Sequence, residues 1–309
     1  MKITVWGCRG SIPAPGPDTV RYGGNTSCYE LRSDNGELLI LDAGSGLREL
    51  GLSLGGKLPQ SAHLLVSHTH WDHIMGYPFF SPLYMRGNKL HVMGAPHYDA
   101  PFRELMGRQM HYAYFPVRMD DLAADQEFEN LREGEHQVGK FKVITRYMNH
   151  PVTCLGFRIE VDGRSVVYTG DHEPYYDIVY RQREPANDAE RQHKAELEAF
   201  AAQQNQAVFE FVRDADLLIC DGMFTSAEYE AHVGWGHSAM EYWVETALAA
   251  NVKRLMISHH DPCRTDAQID KLLAHFRADL RSRGEKMNLS FAMEGRSLDL
   301  AVSEVQAAL

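Results

Sequence analysis

Between positions 68 and 73 the chain reads His-Thr-His-Trp-Asp-His, which places three imidazoles and one carboxylate within six residues. Imidazole nitrogen and carboxylate oxygen are ligands for zinc and related divalent ions, and a packed core has no use for so many of them side by side. A lone histidine would need no such explanation. In an extended segment alternate side chains point the same way, so His68 and His70 can share one ion while Asp72 and His73 turn toward a second.

Such a cluster needs rigid elements to deliver it. Short apolar runs at 2–6, 28–32, 37–41 and 62–67 read as strands, the last ending directly at His68. Further strands are expected at 89–93, 141–146, 156–161 and 164–169, the last two joined by Asp162-Gly163, a two-residue hairpin signal. Helical spacing falls at 99–111, 188–212, 238–250 and 265–283, with strands at 215–220 and 254–258 between the later helices. In the 188–212 stretch Glu190 pairs with Lys194 at helical spacing, as on a surface helix. The first half is rich in strand and the second alternates β with α, the pattern of an α/β protein.

The unbroken His-x-His-x-Asp-His at 68–73 resembles the signature of the metallo-β-lactamase superfamily. Further short motifs follow the pattern of that family in the same order. Leu41-Asp42-Ala43-Gly44-Ser45-Gly46 is similar to its first motif, in which Asp42 would support the metal ligands without being one. His150, in Asn149-His150-Pro151, falls where the third histidine belongs, and Asp171, in Thr169-Gly170-Asp171, matches the bridging aspartate. The final histidine corresponds to His259 or to its neighbour His260; the resemblance favours His259 and would leave His260 hydrogen-bonding at the rim.

These positions also make sense physically, because each follows an expected strand: 62–67 before His68, 141–148 before His150, 164–169 before Asp171 and 254–258 before His259. The expected arrangement is His68, His70 and His150 at site one, Asp72, His73 and His259 at site two, and Asp171 between them. Ligands of nitrogen and oxygen with no thiolate suit two divalent ions, zinc first, with manganese as the alternative for the more oxygen-rich site. The implied fold is an αββα sandwich with two mixed sheets flanked by helices. A single domain over 1–309 is expected, with insertions at about 98–140 and 175–212.

Two further segments, Trp6-Gly7-Cys8-Arg9-Gly10-Ser11 and Gly23-Gly24-Asn25-Thr26-Ser27-Cys28, are similar to the ribonuclease Z-like and cyclic-nucleotide phosphodiesterase branch, as is Gly236-His237-Ser238. The resemblance implies a metal-bridging hydroxide attacking a phosphodiester. Expelling a sugar alkoxide needs a proton from the opposite side, and His237 is the candidate donor, with helix capping as its structural alternative. Asp221, at the end of an apolar run, is a candidate to orient His237, with simply ending a buried strand beside the site as the equal alternative. Asn25, Thr26 and Ser27 in the glycine-rich turn are expected to bring backbone N–H groups near a phosphate, a plain tight turn being the alternative.

Charge bears on the substrate. The 309 residues carry a net charge of −11, which opposes a long polyphosphate unless basic groups gather locally. Residues 98–140 hold five Lys/Arg against nine Asp/Glu, and 175–212 hold four against seven, so neither stretch offers a basic arm. Their aromatics Tyr112, Tyr114, Phe115, Tyr175, Tyr176 and Tyr180 are candidates to stack a base or simply to pack. The expected function is metal-dependent hydrolysis of a small phosphodiester, foremost a cyclic nucleotide. The alternatives are a ribonuclease Z-like RNA 3′-processing endonuclease and a non-catalytic metal-dependent sensor. Five cysteines without a Cys-x-x-Cys pair and no long apolar run point to a cytoplasmic protein with no membrane partner. Nucleic acid is not an expected partner, and a homodimer is left open.

Overall fold

The computed structural model of the chain describes residues 1–181 and 183–301. Its strands form two seven-stranded sheets. The first runs from β1 (Lys2–Gly7) through β2 (Cys28–Arg32), β3 (Leu38–Leu41), β4 (Ala62–Val66) and β5 (Lys89–Gly94) to β6 (Asp125–Asn130) at one edge. The second contains β7 (Gly134–Val138), β8 (Phe141–Met148), β9 (Cys154–Val161), β10 (Arg164–Tyr168), β11 (Leu217–Asp221), β12 (Arg254–Ser258) and β13 (Asn288–Phe291), adjacent in that order. A last strand, β14 (Ser297–Asp299), returns to pair antiparallel with β1.

Both sheets are covered on both faces, so their central strands are apolar throughout rather than alternating with polar residues. In β4 Leu65 points into the core between the sheets, while Leu64 and Val66 point outward to helices. In β11 Leu217 and Ile219 face inward, and Leu218 and Cys220 face outward. The outer face of the first sheet is covered by α1 (Gly46–Ser53), the short α2 (Trp71–Ile74) and α3 (Phe102–Arg108). On the second lie α4 (Asp188–Val212), α6 (Met240–Ala249) and α7 (Asp266–Ser282), with the one-turn α5 (Ser226–Tyr229) ahead of α6. This is the αββα layering expected.

One expectation changes. Residues 98–140 are not an appendage: they supply α3 and the edge strands β6 and β7, one to each sheet. Asp-Gln-Glu-Phe-Glu-Asn and Gly-Glu-His-Gln-Val carry polar and charged residues because edge strands face solvent and are protected by charge, so an apolar period does not reveal them. The Asp162-Gly163 hairpin forms as expected, with φ of 55° and 69°.

Strand direction explains where chemistry can gather. β8 and β10 each pair antiparallel with β9, so they point the same way, and β10, β11 and β12 are mutually parallel. The carboxyl ends of all four therefore lie at one end of the second sheet, the usual place for a ligand in a parallel arrangement.

Candidate metal centre

At that end, donor atoms of His68, His70, His150 and Asp171 lie within 4.8 Å of one another, and so do those of Asp72, His73, Asp171 and His259. Asp171 belongs to both groups. Its Oδ2 stands 3.5 Å from His68 Nε2 and 3.3 Å from His73 Nε2, and its Oδ1 stands 3.3 Å from His259 Nε2. Inside the groups donor faces donor: His150 Nε2 is 3.1 Å from His70 Nδ1, and His73 Nε2 is 3.3 Å from His259 Nε2. His68 Nε2 and Asp171 Oδ1 are buried without a hydrogen-bond partner. Buried polar atoms left this way are costly, and converging lone pairs repel, unless cations sit between them. The residues present fit two divalent ions.

The ligands are held from behind. His73 Nδ1 donates to Asp42 at 2.6 Å, and the same fully buried carboxylate accepts from the Ser67 N–H, the Ser67 hydroxyl and the Tyr168 hydroxyl. Asp42 itself sits at φ 59° and His259 at φ 54°, a left-handed conformation that non-glycine residues adopt at a cost and keep at functional sites. His150 Nδ1 donates to the Gly236 carbonyl at 2.9 Å, which leaves Nε2 for an ion. Asp72 accepts the Ser11 N–H at 2.7 Å. At Gly10 a Cβ would lie 2.4 Å from the His259 ring, so the loop approaches that imidazole as only glycine can.

Protonation follows burial and charge. Burial pushes His68 and His70 down and His150 to about 4, so all three are neutral donors at pH 7. His73 goes the other way: burial opposes its charge, but Asp171, Asp72 and Asp42 outweigh it and raise it well above 6.5. Asp171 is held well below the usual carboxylate range, His259, His73 and His68 outweighing its burial.

A cleft of about 490 Å³ opens onto these ligands, lined by Ser11, Thr69, His70, Trp71, Asp72, Asp171, His237 and His259. His237 is raised to about 9, because Asp221 and then Asp171 overcome its burial. Its Nδ1 donates to Asp221 at 2.9 Å, so the proton on Nε2 is the one available to the cleft. It does not cap α6, which begins at Met240 after Ala239 with no side-chain cap.

Other sequence expectations are corrected by geometry. His260 is not at the rim: it is fully buried, donates Nε2 to the Ala292 carbonyl at 2.9 Å and is pushed down to about 3 by burial. Asn25, Thr26 and Ser27 brace the neighbouring turn instead of lining the cleft. Thr26 exchanges hydrogen bonds with Ser45, the Asn25 amide donates to Glu294, and the Ser27 carbonyl accepts from Gly44. Of the six aromatics noted above, none lines the cleft; Tyr180 is buried against His193 and Tyr175 packs on His172. The aromatic wall is Trp71, a residue inside the ligand motif that its neighbours' chemistry overshadowed.

Residues 38–187 match the Beta-lactamase superfamily domain. The chain carries a metallo-β-lactamase fold domain. It is 30% identical over 173 residues to the ML1173 protein of Mycobacterium leprae, a match that covers 55% of this chain and 57% of that one. Ribonuclease Z of Treponema denticola is 21% identical over 303 residues, covering 90% of this chain and 92% of that enzyme. Among solved structures, YhfI of Bacillus subtilis superposes with a TM-score of 0.64 at 20% identity over 96% of this chain and 99% of its own. Yeast PDE1 gives 0.60 at 16% identity, covering 96% and 98%. Zn2+-bound PqqB of Methylobacterium extorquens gives 0.62 at 17% identity, covering 97% and 100%. The likeness in fold therefore extends along almost the whole sandwich. Among the described residues no helix is long and apolar enough to cross a membrane.

Proposed function

We propose that the protein is a metal-dependent phosphodiesterase acting on a small phosphodiester, with a cyclic nucleotide as the leading substrate. The observation that carries this reading is the cleft itself: two adjoining ligand groups share Asp171 beside a buried His237–Asp221 pair, and among the described residues no Lys or Arg lines the opening. His68, His70, His150 and Asp171 would hold one ion, and Asp72, His73, His259 and Asp171 the other, zinc being the first choice. When bound, such a pair activates water and offsets the charge that builds on phosphoryl oxygens.

The chain's own groups supply the rest. His237 delivers the Nε2 proton to the departing sugar oxygen, and Asp221 keeps the ring in the tautomer and orientation for that transfer. Asp42 and the Gly236 carbonyl keep His73 and His150 aimed inward. A single phosphate brings about one negative charge, which the ions offset, whereas a long RNA needs many cationic contacts that a −11 chain with this cleft does not provide there.

A second reading, ribonuclease Z-like cleavage of RNA 3′ extensions, is favoured by the end-to-end match to Treponema denticola ribonuclease Z. The two are separated by kcat/KM for cyclic AMP, cyclic GMP and cyclic pyrimidine nucleotides against 3′-extended tRNA at matched salt and metal. The proposal expects the higher value on a cyclic nucleotide. A higher value on tRNA transfers the same centre to RNA.

A further inference from the structure

Glu173 lies two residues beyond Asp171 and is 2% exposed. A buried carboxylate normally has a cation for a partner, but among the described residues no Lys or Arg is paired with it. It is satisfied instead by one loop: the Tyr229 hydroxyl donates to Oε1 at 2.7 Å, the Gly234 N–H to Oε1 at 2.8 Å, and the Gly236 N–H to Oε2 at 3.0 Å. Gly234 and Gly236 sit at φ 91° and 83°, so the loop is wound into a concave nest of N–H groups, a shape that ordinarily binds an anion and is here filled by the chain's own carboxylate.

That loop has two functions at the metal centre. The Gly236 carbonyl is the partner of His150 Nδ1, and the next residue is His237. Contact is so close that a Cβ on Gly236 would lie 2.3 Å from His150 Nδ1. The backbone of Glu173 closes the arrangement, its N–H donating to the Asn149 carbonyl at 2.9 Å, immediately before His150.

We infer that Glu173 is a positioning residue, a carboxylate lock that holds the Gly234–Gly236 loop so that its carbonyl fixes His150 as a ligand and its end presents His237 to the cleft. The inference rests on the metal-centre part of the reading above and is independent of which phosphodiester is cut. It also explains why a charge is buried here at all: two backbone donors and a phenol are aimed at one point, and a carboxylate with two oxygens satisfies all three. An amide in its place has one oxygen, and its NH2 group would face an N–H.

The test uses the full chain. Zinc affinity is measured by competition with a chromophoric chelator for wild type, Glu173→Gln and Tyr229→Phe, with thermal melting of each metal-free protein and with turnover of bis(p-nitrophenyl) phosphate. Glu173→Gln is expected to weaken one of the two ions about 10–100-fold, the usual loss when the partner behind a ligand is removed. It should lower kcat with KM little changed. Tyr229→Phe, which removes one donor and leaves the packing, should show the same change to a smaller degree. Wild-type zinc affinity in both variants would overturn the proposal, as would a loss in KM alone. If Glu173→Gln fails to fold, Tyr229→Phe decides by the same criteria. A wild type that binds two zinc ions but hydrolyses no cyclic nucleotide would defeat the substrate assignment and leave the zinc measurement to judge the lock.

Discussion

The His73 imidazole leans on the fully buried Asp42 carboxylate at 2.6 Å, whereas the His150 imidazole leans on a loop carbonyl, Gly236 O, at 2.9 Å. The difference runs through the whole centre. Site two is made of four buried residues, and its support comes from the ends of β3, β4 and β10 through Asp42, Ser67 and Tyr168. Site one draws on the partly exposed His70 and on His150, whose outer support belongs to the α5–α6 connection. Groups anchored in a doubly covered sheet open only with the fold, while loop-held groups open locally at lower cost. Site two should therefore be the tightly held ion and site one the adjustable one.

The largest effect expected is at the residue the two halves share. Asp171→Ala removes a ligand from each group and with it several kcal/mol of charge stabilisation, so turnover should fall by more than about 10⁴-fold. Elemental analysis should show fewer than two ions per chain. Retained activity with both ions bound would dissolve the comparison, because the halves would then not be joined through Asp171. Next comes His237→Ala, which belongs to neither half. It should leave metal content intact and slow cyclic-nucleotide hydrolysis by about 10²–10⁴-fold. Substrates that expel p-nitrophenolate need little protonation and should lose far less; equal losses would make His237 a structural residue.

The same contrast accounts for what could be read from the chain. Site two was legible because its ligands come from one dense motif and from His259 at a strand end, and the sheet that carries them is written in apolar runs such as Leu38-Leu39-Ile40-Leu41. The αββα layering was legible for the same reason. The loop side was not, because nothing in Asp171-His172-Glu173-Pro174 marks Glu173 as a buried anchor; its partners are backbone N–H groups, which every residue possesses. The one trace was Gly234-Trp235-Gly236, two glycines spaced to wind a tight turn before His237. Asn25–Ser27 misled in the opposite direction: the same chemistry that cradles a phosphate also braces a turn, and only the Ser45 partner distinguishes them.

Asp42→Asn tests the firmer half. The amide keeps the size of the side chain but removes the charge that balances His73 and one of the acceptor oxygens used by Ser67, Tyr168 and His73. Zinc affinity should drop about 10–100-fold at site two and change little at site one, since no site-one ligand touches Asp42. A chelator titration resolves the two steps. If the more easily removed ion is the one that weakens, the order of strength between the halves is reversed.

The smallest effect separates the halves by protons. In the metal-free protein His73 keeps its proton above the ordinary 6.5 because three carboxylates surround it, while burial leaves His68, His70 and His150 neutral at pH 7. A raised folded pKa means that the His73 proton stabilises the metal-free fold fully below about 6.5 and that this stabilisation is lost as the pH rises through the folded value. Zinc entering site two must expel that proton, so its affinity there should rise about tenfold per pH unit above 6.5 until His73 titrates. Site one, with His150 already neutral down to about 4, should be nearly insensitive over the same range. Titration calorimetry in buffers of different ionisation enthalpy counts the protons directly. It is best done in His237→Ala, because the raised imidazole of His237 would otherwise add its own proton to the count. The ion bound first, at site two, should release about one proton more than the second. Equal release in the two steps would mean that the carboxylates around His73 do not hold a proton, and that the electrostatic half of the contrast between the two sites is absent.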